Sequence, residues 1–81
     1  MVKLKFYYKE SCWLCDTAEE MLNGLAEKYD LRVEKVDISS SDCLYALYRF
    51  DIPVFEFRDN TTLHSRIKKK QLLERLEANT E

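Results

Sequence analysis

Residues 2–15 read VKLKFYYKESCWLC, and this stretch joins a strand pattern to a pair of closely spaced cysteines. Apolar or aromatic side chains occupy every second position of residues 2–8, which is the period of a β-strand. Polar residues then interrupt the alternation, and the last of them, Ser11, is of a type that favours a helix N-cap. The sequence therefore predicts a strand that leads directly into a helix carrying Cys12 and Cys15.

The period of the hydrophobic residues changes to that of a helix after Cys12. The predicted buried face consists of Leu14, Ala18, Met21, Leu22, Leu25 and Tyr29. Acidic side chains gather toward the amino end, where they complement the positive end of the helix dipole. Because the spacing continues through Gly24, we predict one helix as far as Tyr29, with the glycine at a close packing contact.

The remaining sequence predicts three strands and two helices. They are a strand at residues 31–38, a helix at 43–50, strands at 54–57 and 61–65, and a helix at 67–78. The apolar phase shifts within the first of these strands, as in an edge strand, and the first of these helices is hydrophobic nearly all round, which predicts burial. The order β-α-β-α-β-β-α requires parallel strands around the first helix and an antiparallel hairpin before the last. We therefore predict one α/β domain, residues 1–81, with a mixed four-stranded sheet and helices on both faces.

Charge and hydropathy argue against nucleic-acid and membrane partners. The net charge is −2, and the one basic run, Arg66 with Lys68–Lys70, is interpreted as a solvated helix start, with an anion-binding role as the alternative. The first residues carry charges where a signal peptide needs an apolar stretch, and no apolar run approaches the length of a membrane span. We therefore expect a monomeric, cytoplasmic protein.

The three cysteines point to chemistry at Cys12 and Cys15, because structural disulfides are rare in the cytoplasm. Positions three apart on a helix lie one turn apart, within the reach of a disulfide. At a helix start, unpaired N–H groups favour a thiolate, and the pKa of such a cysteine falls from about 8.5 into a window of roughly 3.5–7.5. We predict that Cys12 attacks a disulfide and that Cys15, deeper in the helix, resolves the mixed disulfide. We expect Lys9 to add positive charge nearby and Trp13, beside the thiols, to form part of a docking surface.

Two other uses of the cysteine pair stay open. A zinc site needs two further ligands, and only Cys43 and His64 are available, at a spacing that matches no familiar zinc pattern. An iron–sulfur cluster shared between two chains, or a binding module without turnover, remains an alternative. Cys43 is expected in the core and His64 as a surface or packing residue, so no metal ligand is assigned.

Two segments resemble glutaredoxins. Residues 7–15 are similar to the glutaredoxin active-site segment, including a lysine three places before the first cysteine. Residues 51–55, Asp-Ile-Pro-Val-Phe, are similar to the threonine-valine-proline region of that family. The order of elements agrees over essentially the whole chain. The chain is most similar to the glutaredoxin-like proteins that pair a Cys-x-x-Cys with an isoleucine-proline-valine strand start.

The resemblance implies a thioredoxin-type fold and thiol–disulfide oxidoreductase activity. It also implies a cis peptide between Ile52 and Pro53 that faces the cysteines, with Ile52 backbone groups that pair with an extended substrate. A disulfide-containing protein or a small disulfide would be the substrate. No bound cofactor is expected, since glutathione or a reductase would supply electrons.

The sequence departs from glutaredoxins where they bind glutathione. Trp13 and Leu14 replace proline and tyrosine between the cysteines, and Asp51 replaces a threonine. The paired glycines after the fourth strand fall at His64 and Ser65. The source of electrons therefore stays open.

Overall fold

The computed structural model describes residues 1–80, which form four strands and three α-helices in the order that the sequence predicts. The elements are β1 (Val2–Tyr8), α1 (Trp13–Tyr29), β2 (Leu31–Asp37), a 3-10 turn (Ile38–Ser40), α2 (Asp42–Tyr48), β3 (Val54–Phe57), β4 (Thr62–His64) and α3 (Lys69–Ala78). Within these residues, no helix is both long enough and apolar enough to span a membrane.

The sheet is mixed, with the strand order β2-β1-β3-β4. β1 and β2 are parallel, in a register that runs from Val2 opposite Leu31 to Tyr8 opposite Asp37. β3 pairs antiparallel with both β1 and β4. A parallel pair needs a long crossover connection, which α1 provides. The prediction of a mixed four-stranded sheet is confirmed, and β2 is the edge strand that its shifted pattern indicates.

The main core lies between the sheet and the two long helices, α1 and α3. Its buried residues include Leu4, Phe6, Ala18, Leu22, Leu25, Phe55, Phe57, Leu72 and Leu76. At its centre, the rings of Phe6 and Phe55 meet edge to face with centroids 5.2 Å apart. Such pairs stabilise a core beyond the area that they bury. This packing fixes the carboxyl end of β1, from which the chain enters the cysteine segment.

A smaller core on the other face of the sheet packs against α2. Tyr7, Ile38 and Val54 are buried there, and the ring of Tyr7 stacks on that of Tyr48 with centroids 4.6 Å apart. Helices therefore cover both faces of the sheet, as the sequence predicts.

The expectation that the second helix is well buried is wrong. None of the residues of α2 is buried, and Leu47 is 66% exposed. A helix of seven residues offers one side to the sheet, and no other element of residues 1–80 covers its outer side. Gly24 also differs from the prediction, because a Cβ placed there would meet no atom within 4 Å, so the glycine lies at no close contact.

The hydroxyl group of Tyr7 donates a hydrogen bond to the Glu56 carboxylate over 3.1 Å. Burial, together with this carboxylate, raises the pKa of Tyr7 to about 12 from its ordinary value of 10.0. The folded state therefore favours the protonated phenol. Its contribution to stability is complete below pH 10 and is lost as the pH rises toward about 12.

We expect Tyr7→Phe to remove the tyrosine that ionises last in an ultraviolet titration of tyrosinate. The unfolding free energy should also fall less steeply above pH 10 in this variant than in the wild type. If the variant instead lost a tyrosine that ionises early in the titration, the Tyr7 phenol would not be held in its protonated form.

Candidate active site

Cys12 is the N-cap of α1, one position before the first helical residue, Trp13. The prediction of Ser11 as N-cap is wrong, because Ser11 has a left-handed backbone with φ of 62°. The backbone N–H of Cys15 donates to the Cys12 Sγ atom over 3.1 Å. Amides at a helix start lack partners within the helix, and here one of them is aimed at sulfur. The arrangement favours negative charge on the Cys12 sulfur.

Cys12 and Cys15 form a disulfide, with Cα atoms 5.2 Å apart. This separation lies within the ordinary range for disulfides. Cys15 is only 2% exposed and belongs to the main core, whereas Cys12 is half-buried at its edge. The pair therefore has an outer sulfur at the helix terminus and an inner sulfur one turn behind it.

The peptide bond between Ile52 and Pro53 is cis, as the resemblance implies. Ile52 packs against the same core that Cys12 and Cys15 adjoin. Its N–H, however, donates to the Tyr48 carbonyl over 3.1 Å. Of the two backbone groups of Ile52, the carbonyl accepts no backbone hydrogen bond from residues 1–80, so the expected pair of docking groups reduces to one acceptor.

Lys9 is exposed, and its Nζ atom lies 5.4 Å from the centre of the Tyr45 ring. The side chain is therefore directed toward α2, where a cation–π contact holds it. Its position as a support for the Cys12 anion stays a prediction.

A small polar cavity of about 70 Å³ has Cys15 in its lining. Its lining consists of Phe6, Tyr8, Lys9, Glu10, Cys15, Asp16, Glu19 and Lys35. The Lys35 Nζ and Glu19 Oε2 atoms are 2.6 Å apart, and this contact raises the pKa of Lys35. A polar cavity of this size has room for water. Water in this cavity would lie next to Cys15, whose own surface is buried.

Trp13 is 66% exposed, and the guanidinium of Arg66 lies 6.0 Å from the centre of its ring. The interpretation of Arg66 as part of a solvated helix start therefore missed its place beside the cysteine segment. A signal was present, because Arg66 directly follows the two positions where glutaredoxins carry their paired glycines.

Cys43 is exposed, so the expectation that it belongs to the core is wrong. It lies near the amino end of α2 and outside both cores. His64 is exposed, which selects the surface alternative, and its Nδ1 atom is 3.3 Å from the Ser65 Oγ atom. Within residues 1–80, no three His, Cys, Asp or Glu side chains converge as ligands for a metal ion.

Comparisons with known proteins place the chain in a family. A family model described as "Glutaredoxin-like domain (DUF836)" matches residues 3–77. A structural-genomics target protein from X. campestris is 27% identical with a TM-score of 0.79, over 93% of this chain and 96% of that one. A protein from Nitrosomonas europaea is 25% identical with a TM-score of 0.75, over 90% and 88% of the two chains. A point mutant of thioredoxin from Halobacterium salinarum is 26% identical with a TM-score of 0.77, over 99% of this chain and 75% of that one.

Proposed function

This chain belongs to the glutaredoxin-like domain family (DUF836), and we propose on that premise that it catalyses reversible thiol–disulfide exchange through Cys12 and Cys15. The supporting observation is the sulfur pair itself. Cys12 Sγ accepts a backbone N–H at the start of α1, and Cys15 lies within bonding reach on the buried side. An N-cap sulfur is suited to act as a nucleophile because its anion already has a hydrogen-bond donor.

In the first step, the Cys12 thiolate attacks one sulfur of a substrate disulfide. A mixed disulfide forms, and the other substrate sulfur leaves as a thiolate that takes up a proton from water. Cys15 then gives its proton to the water that the small polar cavity admits. The Cys15 thiolate attacks the Cys12 sulfur, so that the Cys12–Cys15 disulfide forms and the second substrate thiolate leaves. The substrate gains two electrons and the protein loses two.

The substrate in this proposal is a protein disulfide or a small disulfide, held by the Ile52 carbonyl beside Pro53 and by the exposed face of Trp13, with Lys9 at the edge. A glutathione system or a reductase returns the two electrons, and the protein itself binds no cofactor. The proposal describes a cytoplasmic monomer without nucleic-acid or membrane partners.

The test is a coupled assay in which NADPH consumption follows reduction of a model protein disulfide. One arm supplies glutathione with glutathione reductase, and the other supplies a thioredoxin-reductase system. We expect turnover in at least one arm and a Cys12 thiol that titrates below about 8.5. No turnover in either arm, with a Cys12 thiol that titrates at or above that value, would indicate a binding module instead.

A further inference from the structure

Two exposed aromatic rings each have an arginine against them, and one of the rings belongs to the cysteine segment. Phe50, just after α2, is 81% exposed, and the guanidinium of Arg49 lies 4.4 Å from the centre of its ring. Trp13, the first residue of α1, has Arg66 in the corresponding position at 6.0 Å. These four residues are named here the arginine–aromatic rim. Aromatic residues and arginine are both enriched in protein–protein interfaces, which makes these pairs candidates for contact with a substrate.

Backbone hydrogen bonds tie both halves of this rim to the cis-proline segment. The Ser65 N–H, next to Arg66, lies 2.8 Å from the Asp51 carbonyl and 3.0 Å from the Pro53 carbonyl. Asp51 directly follows Phe50. The loop that carries Arg66 and the loop that carries Phe50 are therefore joined at the cis-proline segment, whose Ile52 packs against the same core as Cys12. Trp13 directly follows Cys12, so a substrate disulfide at Cys12 lies next to the Trp13 half of this rim.

Neither Arg49 nor Arg66 is neutralised by an acidic side chain. Among residues 1–80, no carboxylate oxygen lies within 4.0 Å of either guanidinium. A guanidinium that lies over a ring keeps the N–H groups at its edge available, and these match the two oxygens of a carboxylate. Each arginine–aromatic pair thus offers an apolar surface and a carboxylate donor set side by side.

We propose that the arginine–aromatic rim selects polypeptide disulfides that carry acidic residues next to the reacting cysteine. The inference rests on the proposed function and names its substrate class. A polypeptide is favoured over a small disulfide because the two pairs lie on separate segments, one at the start of α1 and one after α2. An extended chain can contact both rings, while its carboxylates pair with the two guanidinium groups.

The experiment compares three short peptide disulfides that differ only in the residues flanking the cysteine, which are glutamate, serine or lysine. The reduced protein acts on each at low salt, and kcat/KM is measured by chromatography. Rates with dithiothreitol give the intrinsic reactivity of each peptide. Negative flanking charge raises the pKa of a thiol and slows exchange intrinsically. A preference for the glutamate peptide must therefore come from the protein.

We expect the wild type to prefer the glutamate peptide over the serine peptide by roughly threefold to tenfold, from two exposed ion pairs. The preference should lie in KM and should diminish at high salt, because salt screens exposed charges. The double variant Arg49→Gln with Arg66→Gln should lose it. Arg32→Gln is the matched control, since Arg32 lies on edge strand β2 opposite Lys3, at the end of β1 far from Cys12.

The peptide experiment distinguishes failure of the substrate preference from failure of the proposed thiol–disulfide exchange activity. Reduction of all three peptides at equal normalised rates, or a preference that survives in the double variant, overturns the inference and leaves the oxidoreductase assignment standing. Failure to reduce any peptide overturns the proposed function and the inference together. Oxidised glutathione is a fourth substrate, and an arginine effect larger for it than for the glutamate peptide would contradict a polypeptide occupant.

Discussion

Cys12→Ser is expected to lower disulfide reduction by roughly three orders of magnitude or more, to the level of the reaction without protein. The reason is chemical, because the reacting species is a thiolate and a serine hydroxyl does not ionise near neutral pH. The variant should stay folded, since position 12 lies at the edge of the core and a serine oxygen can accept the Cys15 N–H as an N-cap. The coupled reductase assay measures the loss.

Two further cysteine variants make this result specific. Cys15→Ser should still attack substrate disulfides but should stop at the mixed disulfide, which intact-protein mass spectrometry detects as a covalent adduct. Cys43→Ser is the matched control, because Cys43 is exposed and outside both cores, and it should retain full activity. Equal turnover by Cys12→Ser and the wild type would falsify the assignment of Cys12 as nucleophile.

The fold was predictable where a local pattern determines the structure. The alternation in residues 2–8 identifies β1, and the helical period after Cys12 identifies α1, because one face of each element packs against the core. Parallel pairing of β1 with β2 then follows from the crossover connection. The two elements depend on neighbours a few residues apart, whereas their pairing follows from the order of elements and the handedness of the connection.

The wrong predictions concern which side chains of an element other elements bury. The second predicted helix is hydrophobic nearly all round, which indicates burial only if other elements surround it. In the structure α2 has seven residues and rests on the sheet by one side, so Cys43 and Leu47 face outward. The hydrophobic pattern of a helix does not show whether other elements pack against its outer side.

The sequence predicted the cysteine pair of the site but not the residues around it. The spacing of Cys12 and Cys15 at a strand–helix junction indicated the pair, and the structure joins them. The N-cap position of Cys12 differs by one residue from the expectation, because Ser11 takes a left-handed backbone in place of a cap. Arg66 was missed since its proximity to Trp13 depends on a loop more than fifty residues away along the chain.

The largest expected effect on stability is that of Phe55→Ala. Phe55 is fully buried on β3, between β1 and β4, and its ring meets that of Phe6. Removing a buried phenylalanine ring costs about 3–5 kcal/mol, because the lost transfer free energy adds to the cost of the cavity. A domain of this length has a total stability of roughly 4–12 kcal/mol. The substitution should therefore remove a large part of the unfolding free energy.

Phe50→Ala provides the matched control, because the same atoms are removed from a ring that is almost fully exposed. We expect it to change the unfolding free energy by less than about 0.5 kcal/mol. Urea denaturation followed by circular dichroism measures both variants, and an unchanged slope would show that the change lies in stability and not in the unfolded ensemble. Equal losses in the two variants would contradict a core centred on Phe6 and Phe55.

This core holds the carboxyl end of β1 and the buried side of α1. Its loss should therefore also release the sulfur pair from the helix terminus, and disulfide reduction should fall with the folded fraction.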